Sequence, residues 1–238
     1  MRKLPLIPTL ITFIALVILL KLSAWQFARA QEKQTLMEQD LASTQQVYGD
    51  LLTALAAPGN NNFKRLMLSG VVDSEHLFYW DNRVLEGRVG YEIIAPVKTA
   101  AGDILVNFGW HADTDFRRTL PQINLPERVQ QLRVVLYLPG LNNLIQQSES
   151  QGNWPALIQQ PDIRLMGQWL SRDFVPVMGY VEPTEQFALE NNYRPVTLSP
   201  EKHIAYAIQW LLLAIACILV FILALRKKWK DERQQQIE

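Results

Sequence analysis

The sequence predicts an α+β membrane protein in which two transmembrane helices flank a mainly antiparallel, barrel-like β domain with short helices. Two apolar runs near the ends of the 238-residue chain are long enough to span a hydrocarbon core of roughly 30 Å at about 1.5 Å per helical residue. Short segments rich in β-branched and aromatic residues, bounded by glycine and proline, occupy the middle. Basic residues flank each apolar run on the side of the nearer terminus. This placement predicts two cytoplasmic termini and an extracytoplasmic β domain.

The first apolar run predicts a cytoplasmic N-terminus at residues 1–5 and a transmembrane helix at residues 6–27. Lys21 lies where its stem can extend toward the far membrane interface. A cleaved signal peptide is the alternative, because residues 28–30 read Ala-Arg-Ala, a pattern typical of processing sites. The run is long for a signal peptide, so a retained helix is the prediction.

Residues 28–62 are predicted to form a juxtamembrane helix and a turn. The stretch up to about Ala57 is charged and rich in glutamine. It contains no proline before Pro58, so nothing in it clearly breaks a helix. Five turn-forming residues then follow in a row at residues 58–62. The helix is therefore expected to end close to Ala57.

Residues 63–202 are predicted to form the β-rich domain. Its expected strands lie at about residues 66–72, 76–80, 89–97, 104–110, 132–138 and 174–181. Between them are expected a hairpin turn at 101–103, a loop covering a sheet edge at 117–128, irregular structure at 142–161 and a short amphipathic helix after Pro161. Strand alternation predicts that Phe108 and Trp110 face the same side as Ile104, and we expect Tyr91 and Trp110 to be buried.

The second apolar run predicts a transmembrane helix at residues 203–225, followed by a basic cytoplasmic tail at 226–238. Its extracytoplasmic end carries His203, Tyr206, Gln209 and Trp210, which are predicted to lie on one face at 3.6 residues per turn. A histidine at this depth is either an interfacial anchor and helix-packing residue or an axial ligand of haem iron. The neighbouring aromatic residues suit both roles, since they can pack on a macrocycle or belong to the interfacial belt.

Arg29 is the candidate partner of this group on the first helix. It lies one turn beyond Trp25, at the level of the same interface. Its guanidinium can meet a carboxylate or a haem propionate. A simple interfacial flank of the first helix is the equal alternative.

The charge, the cysteine count and the motifs of the chain exclude several partners and several kinds of site. Formal charge is zero, and basic residues are not concentrated in the middle, so nucleic acid is not an expected partner. Cys217 is the only cysteine, which excludes an internal disulfide and a thiolate zinc site.

His111, Asp113 and Asp115 form a His-x-Asp-x-Asp group. The group suits cation binding or acid–base chemistry, or it is a solvated loop. No phosphate loop or Gly-x-Ser-x-Gly elbow is present, so a non-enzymatic role is the prediction.

Four pieces of the sequence together resemble the Surfeit locus protein 1 family of cytochrome c oxidase assembly factors. Their order, and their placement against two apolar helices, make the resemblance specific over nearly the whole chain. The pieces are Trp25-Gln26 with Arg29 and Lys33; Asn82-Arg83 followed by Gly87 and Gly90-Tyr91 through Pro96; Leu105-Val106-Asn107 with Gly109-Trp110; and His203 with Tyr206-Ala207 and Gln209-Trp210. Phe108 stands where the family usually has arginine, and Lys21 stands where small apolar residues are usual.

The resemblance implies a protein that helps to build the haem-bearing subunit of the oxidase. Bacterial members of the family are linked with haem a, and the family's histidine at the second helix is its suspected ligand, which is His203 here. The expected location is a bacterial inner membrane, with the lipid bilayer and the haem-bearing subunit as partners and the β domain in the periplasm. The sequence leaves open which oxidase is served, whether haem is bound and whether the protein self-associates.

Two other functions share this predicted topology. A periplasmic ligand-sensing or scaffolding protein would need no haem, but the 13 residues after Leu225 are short for an output domain. A membrane-tethered hydrolase would use His111 and Asp113, and would require these side chains to converge in a concave pocket.

Overall fold

The structure, a computed structural model, describes residues 5–113, 119–145, 152–182 and 189–235. The chain divides into two compact units, one of residues 1–38 with 196–238 and the other of residues 39–195. The described elements, in chain order, are α1 (Leu6–Ser43), β1 (Val47–Tyr48), α2 (Leu51–Ala56), β2 (Arg65–Val72), β3 (Phe78–Leu85), β4 (Arg88–Thr99), β5 (Gly102–Ala112), β6 (Arg128–Tyr137), β7 (Ala156–Ile158), α3 (Ile163–Leu170), β8 (Phe174–Val181) and α4 (Pro200–Gln235).

The two terminal helices, α1 and α4, are each long and apolar enough to cross a membrane. Helix α4 begins at Pro200, three residues before the predicted span, because proline at the first helical position has no backbone N–H to leave unpaired. Helix α1 continues past the predicted span but ends at Ser43, so a continuous helix to Ala57 is wrong, although α2 ends at Ala56, close to the predicted position. After a turn and β1, the short helix α2 starts anew at Asp50, whose carboxylate accepts from the Thr53 backbone N–H in a capping box.

The sheet closes into a small barrel, as predicted. Strands β2, β6, β8, β5 and β4 are neighbours in that order, and β4 returns to β2 through the pairs Val71–Lys98 and Val72–Val97. Strands β3 and β7 extend the sheet beyond β4, and β1 adds to β2. Most pairings are antiparallel, while β1–β2, β3–β7 and β5–β8 are parallel. Strand β7 lies within the stretch predicted to be irregular.

Two hydrophobic clusters hold the sheet together, one on each face. All five barrel strands contribute to the inner cluster, which includes Leu66, Ile93, Val106 and Val134. The outer cluster packs alternate residues of β3, β4, β5 and β8, among them Phe78, Ile94, Leu105 and Met178, against Met166 of α3. Strands β4 and β5 are therefore buried on both faces, which explains why their sequences read as nearly continuous apolar runs.

A β-bulge in β5 changes which way Trp110 points. Ile93 pairs with Gly109 but Ile94 pairs with Asn107, so Phe108 is an extra residue in its strand. Gly109 has φ 132°, a value that glycine adopts without strain. Phe108 stays in the inner cluster, whereas Trp110 pairs with Glu92 on the opposite face. The prediction that both aromatic residues share a face is thus wrong, although Tyr91 and Trp110 are both buried as expected.

Candidate functional site

Helices α1 and α4 pack through a seam of small residues. The buried positions of α4 include Ala207 and Ala214, seven residues apart, and those of α1 are Ser23 and Ala30, also seven apart. Small side chains at such spacing let two helix backbones approach closely, the usual packing between membrane helices. The Ser23 hydroxyl donates a hydrogen bond to the Ala207 carbonyl oxygen at 2.9 Å, which fixes the antiparallel register of the two helices.

His203 lies in this seam, one turn before Ala207, and only 8% of its surface is exposed. Its ring Nδ1 is 2.7 Å from Oε1 of Gln26 on α1. An amide oxygen can only accept a hydrogen bond, so this contact suits the tautomer whose Nδ1 carries the proton. In the neutral ring the lone pair is then on Nε2, one of the two nitrogens through which histidine binds metals. The site therefore presents one oriented imidazole with a defined donor atom.

The other three residues predicted to share the face of His203 divide into two groups. Trp210 lies in the seam and is half-buried, seven residues and two turns from His203. Tyr206 is 48% exposed, and Gln209 is exposed on the side of α4 away from α1. The seam thus contains His203 and Trp210, while Tyr206 and Gln209 face outward from the helix pair.

Arg29 already has a partner on its own helix. Its Nη1 lies 2.6 Å from Oε2 of Glu32, and its guanidinium lies over the Trp25 ring at 5.7 Å. Both charged side chains are about half exposed, so water screens the pair and the guanidinium can exchange carboxylate partners. Arg29 therefore pairs with an acidic group at the surface, and its role toward a propionate stays a prediction.

The donor set at this site suits a metal that arrives in a macrocycle. In the ranges that the structure describes, no three His, Cys, Asp or Glu side chains are grouped so that they could hold a bare ion. A single oriented histidine is sufficient for haem, because the porphyrin supplies four ligands and the protein need supply only an axial one. His203 would be that ligand, Trp210 or Tyr206 would contact the ring, and Arg29 offers a charge of the sign that a propionate requires.

A second polar centre, which the sequence analysis missed, lies around Glu92 in the β domain. Glu92 is 1% exposed, and its carboxylate accepts hydrogen bonds from Arg83 Nε at 2.7 Å, Asn107 Nδ2 at 2.6 Å and Asn192 Nδ2 at 2.9 Å. Tyr180 Oη donates a fourth bond at 3.3 Å. Burial, and next the negative charge of Glu92, raise the pKa of Tyr180 well above its usual range, which keeps this phenol protonated as a donor.

The two β-domain motif pieces meet at this centre. Arg83 and Asn107 bind Glu92 directly, and Trp110 Nε1 donates to the Arg83 carbonyl oxygen at 2.8 Å. A Cβ on Gly90 would lie 2.7 Å from the Trp110 ring and 2.2 Å from the His111 carbonyl oxygen, so only glycine fits. These motif residues therefore build a buried scaffold, and the signal that could have revealed it is a lone charged residue in an otherwise apolar strand.

The structure gives separate backbone contacts for two members of the His111, Asp113 and Asp115 group. His111 Nδ1 lies 2.8 Å from the neighbouring Ala112 carbonyl oxygen, and the Asp113 backbone N–H bonds Val89. Asp115 lies outside the described residues.

Sequence comparison identifies one family. The SURF1 family model matches residues 13–215, a range that covers most of the chain and includes the whole β domain and part of each terminal helix. No curated protein sequence matches the chain.

Proposed function

The chain belongs to the SURF1 family of cytochrome oxidase assembly factors, and from this membership we propose that it aids haem a insertion into a haem-copper cytochrome c oxidase or stabilises the haem-bearing subunit during assembly. The family is generally non-enzymatic. We propose the same for this protein, which would hold and hand over a cofactor without changing it. The β domain would dock the partner subunit, and the helix pair would hold haem.

The observation that carries the haem role is the buried, oriented imidazole of His203. Hydrogen bonding to Gln26 gives the ring one defined ligating atom, and burial in the seam keeps water from competing for it. Ionisable residues within membrane helices are costly and are retained for function more often than for stability.

A direct experiment tests this proposal. Deletion of the gene is expected to lower the amount of assembled oxidase, and the purified full-length protein from haem a-producing cells is expected to show a haem absorption spectrum in detergent. A control preparation comes from cells that make haem b but not haem a. Comparing the two spectra shows whether the protein distinguishes haem a from haem b. Normal oxidase levels in the deletion strain would contradict the assembly role, whereas a protein without absorbance would contradict haem binding alone.

We further propose that the protein lies in a bacterial inner membrane with both termini cytoplasmic and the β domain periplasmic. The apolar character of α1 and α4 supports membrane anchoring, and the basic residues beyond each span support this orientation. Cysteine introduced at Asn61 or Asn143 of a Cys217→Ala protein should react with a membrane-impermeant maleimide in cells whose outer membrane is permeabilised. Cysteine at Gln234 is the matched control and should react only after lysis. The reverse pattern would invert the topology.

A further inference from the structure

Two hydrogen bonds join α1 to α4 at successive turns. Gln26 bonds the His203 ring at 2.7 Å, and Ser23, three residues earlier on α1, bonds the carbonyl oxygen of Ala207, four residues later on α4. These separations are those expected where antiparallel helices meet along one seam. Ser23 bonds a backbone carbonyl oxygen and so fixes the register of the helices, whereas Gln26 bonds a side chain and so fixes the orientation of the His203 ring.

We propose that Gln26 is the positioning residue for His203, which selects the Nδ1–H tautomer and thereby reserves Nε2 as the ligating atom. An unconstrained neutral imidazole in water exists mainly as the opposite tautomer, with its proton on Nε2. The bond to Gln26 Oε1 reverses that preference, because an oxygen that can only accept requires a proton on Nδ1. The inference depends on the proposed function only for the identity of the metal group that Nε2 meets.

Burial is what lets one hydrogen bond control the ring. His203 is 8% exposed, so water cannot readily replace the amide oxygen if the ring turns. A buried polar group left unpaired is destabilising, and this penalty favours the tautomer that pairs with Gln26. Glutamine also favours this tautomer without adding a charge beside the ring. A carboxylate in its place would keep the acceptor but would favour the protonated ring, whose Nε2 has no lone pair.

The tautomer can be measured without any haem. In the full-length apoprotein labelled with ¹⁵N-histidine in detergent, the two ring nitrogens of His203 have distinct shifts for N–H and for unprotonated nitrogen, and they are assigned by their loss in His203→Ala. We expect the wild type to show a protonated Nδ1 and an unprotonated Nε2. Gln26→Leu, which keeps the bulk of the side chain but has no acceptor, should move the proton to Nε2. An unchanged Nδ1–H signal in this variant would overturn the proposal.

Two further variants separate positioning from packing. Gln26→Glu retains the acceptor, so at a pH where the ring is neutral it should restore the Nδ1–H signal lost in Gln26→Leu. Ser23→Ala removes the neighbouring interhelical bond without touching the ring and should leave the tautomer unchanged. A tautomer switch in Ser23→Ala as complete as that in Gln26→Leu would show that helix register controls the ring, which would overturn the role given to Gln26.

Haem titration then distinguishes this proposal from the function on which it rests. Loss of a hydrogen bond to a ligating histidine typically lowers metal-group affinity about 10–100-fold, so Gln26→Leu should weaken haem binding by that factor while Ser23→Ala should not. If the wild type binds no haem but the tautomer follows Gln26, the proposed haem binding fails and the positioning role stands. If haem binds and Gln26→Leu keeps wild-type affinity and tautomer, the positioning role fails alone.

Discussion

The His203→Ala protein is expected to lose all haem absorbance after purification and to support little oxidase assembly, while its abundance and membrane insertion stay near wild type. The axial bond is lost because alanine has no donor atom, whereas the small-residue seam and the Ser23 bond to Ala207 still join the helices. The predicted structural costs are an unpaired Gln26 amide, about 1–3 kcal/mol, and the space that the buried imidazole leaves between the helices. Visible spectra, immunoblots of membranes and oxidase content measure the three effects separately.

Matched variants make this result interpretable. His111→Ala removes a histidine at the end of β5 and should leave the spectrum and oxidase assembly unchanged. His203→Met should retain haem with a shifted spectrum if the side chain reaches the iron, because thioether sulfur is also an axial ligand. Haem absorbance that persists in His203→Ala would exclude the ligand role and leave His203 as a helix-packing residue.

The second large effect is expected at Glu92. Glu92→Ala should destabilise the β domain by about 3–5 kcal/mol, because it removes one partner from a buried ionic network. Asn107, which is 1% exposed, and Tyr180 would then lose the carboxylate that accepts their hydrogen bonds. At about 2–4 °C per kcal/mol for a domain of this size, Tm should fall by roughly 6–20 °C. Tryptophan fluorescence during heating is a suitable measurement, since Trp80 and Trp110 both adjoin Arg83.

A surface pair in the same sheet provides the control for Glu92. Arg88 bonds Glu190 through two contacts at 2.7 and 3.0 Å, but both side chains are 48% exposed. Glu190→Ala should therefore change Tm very little, although its ion pair has as good a geometry as that of Glu92. Equal losses in Tm for Glu92→Ala and Glu190→Ala would contradict the importance of burial.

The architecture was predictable wherever the signal is local. Apolar runs of membrane length identified α1 and α4, and strand β8 was predicted with its observed bounds. The three-residue strand β7 was missed because it pairs in parallel with β3, some 80 residues away, and such pairing leaves no local pattern. Strand β3 continues past Trp80 through a bulge in which Asn82 has φ 58°. The polar residues in this bulge hid the second half of the strand from the sequence prediction.

The end of α1 shows how a distant residue overrides helix propensity. The sequence around residues 44–57 is compatible with helix, yet α1 stops at Ser43. Arg65 of β2 bonds the Asp40 carboxylate at 3.0 Å and the Asp40 carbonyl oxygen at 2.9 Å, and it also contacts the Ser43 hydroxyl. Arg65 thus donates to the Asp40 carbonyl oxygen, which would otherwise accept a backbone hydrogen bond from the next turn of the helix. Nothing in the local sequence predicts them.

The sequence identified the residues of the candidate site, whose chemistry stays a prediction, but it did not predict their arrangement. A lone histidine at the end of an apolar helix identified His203, and helical periodicity placed Trp210 beside it. Periodicity does not say which face of α4 meets α1, so Tyr206 and Gln209 could not be recognised as outward-facing. The contact between Gln26 and His203 joins residues far apart in sequence and depends on the register of two helices, which composition does not determine.

Strand β8 has a consequence for synthesis of the chain. Among the described residues it is the last strand to be synthesised, yet it lies in the sheet between β5 and β6, pairing with β5 in parallel and with β6 antiparallel. Until Val181 has emerged, both neighbours have unpaired edges that can recruit strands of other molecules. Ribosomes add about 5–20 residues per second, so the stretch from Tyr137 to Val181 takes roughly 2–9 s. The nascent domain is therefore open to misassociation throughout that interval, and late closure makes its folding intrinsically slow.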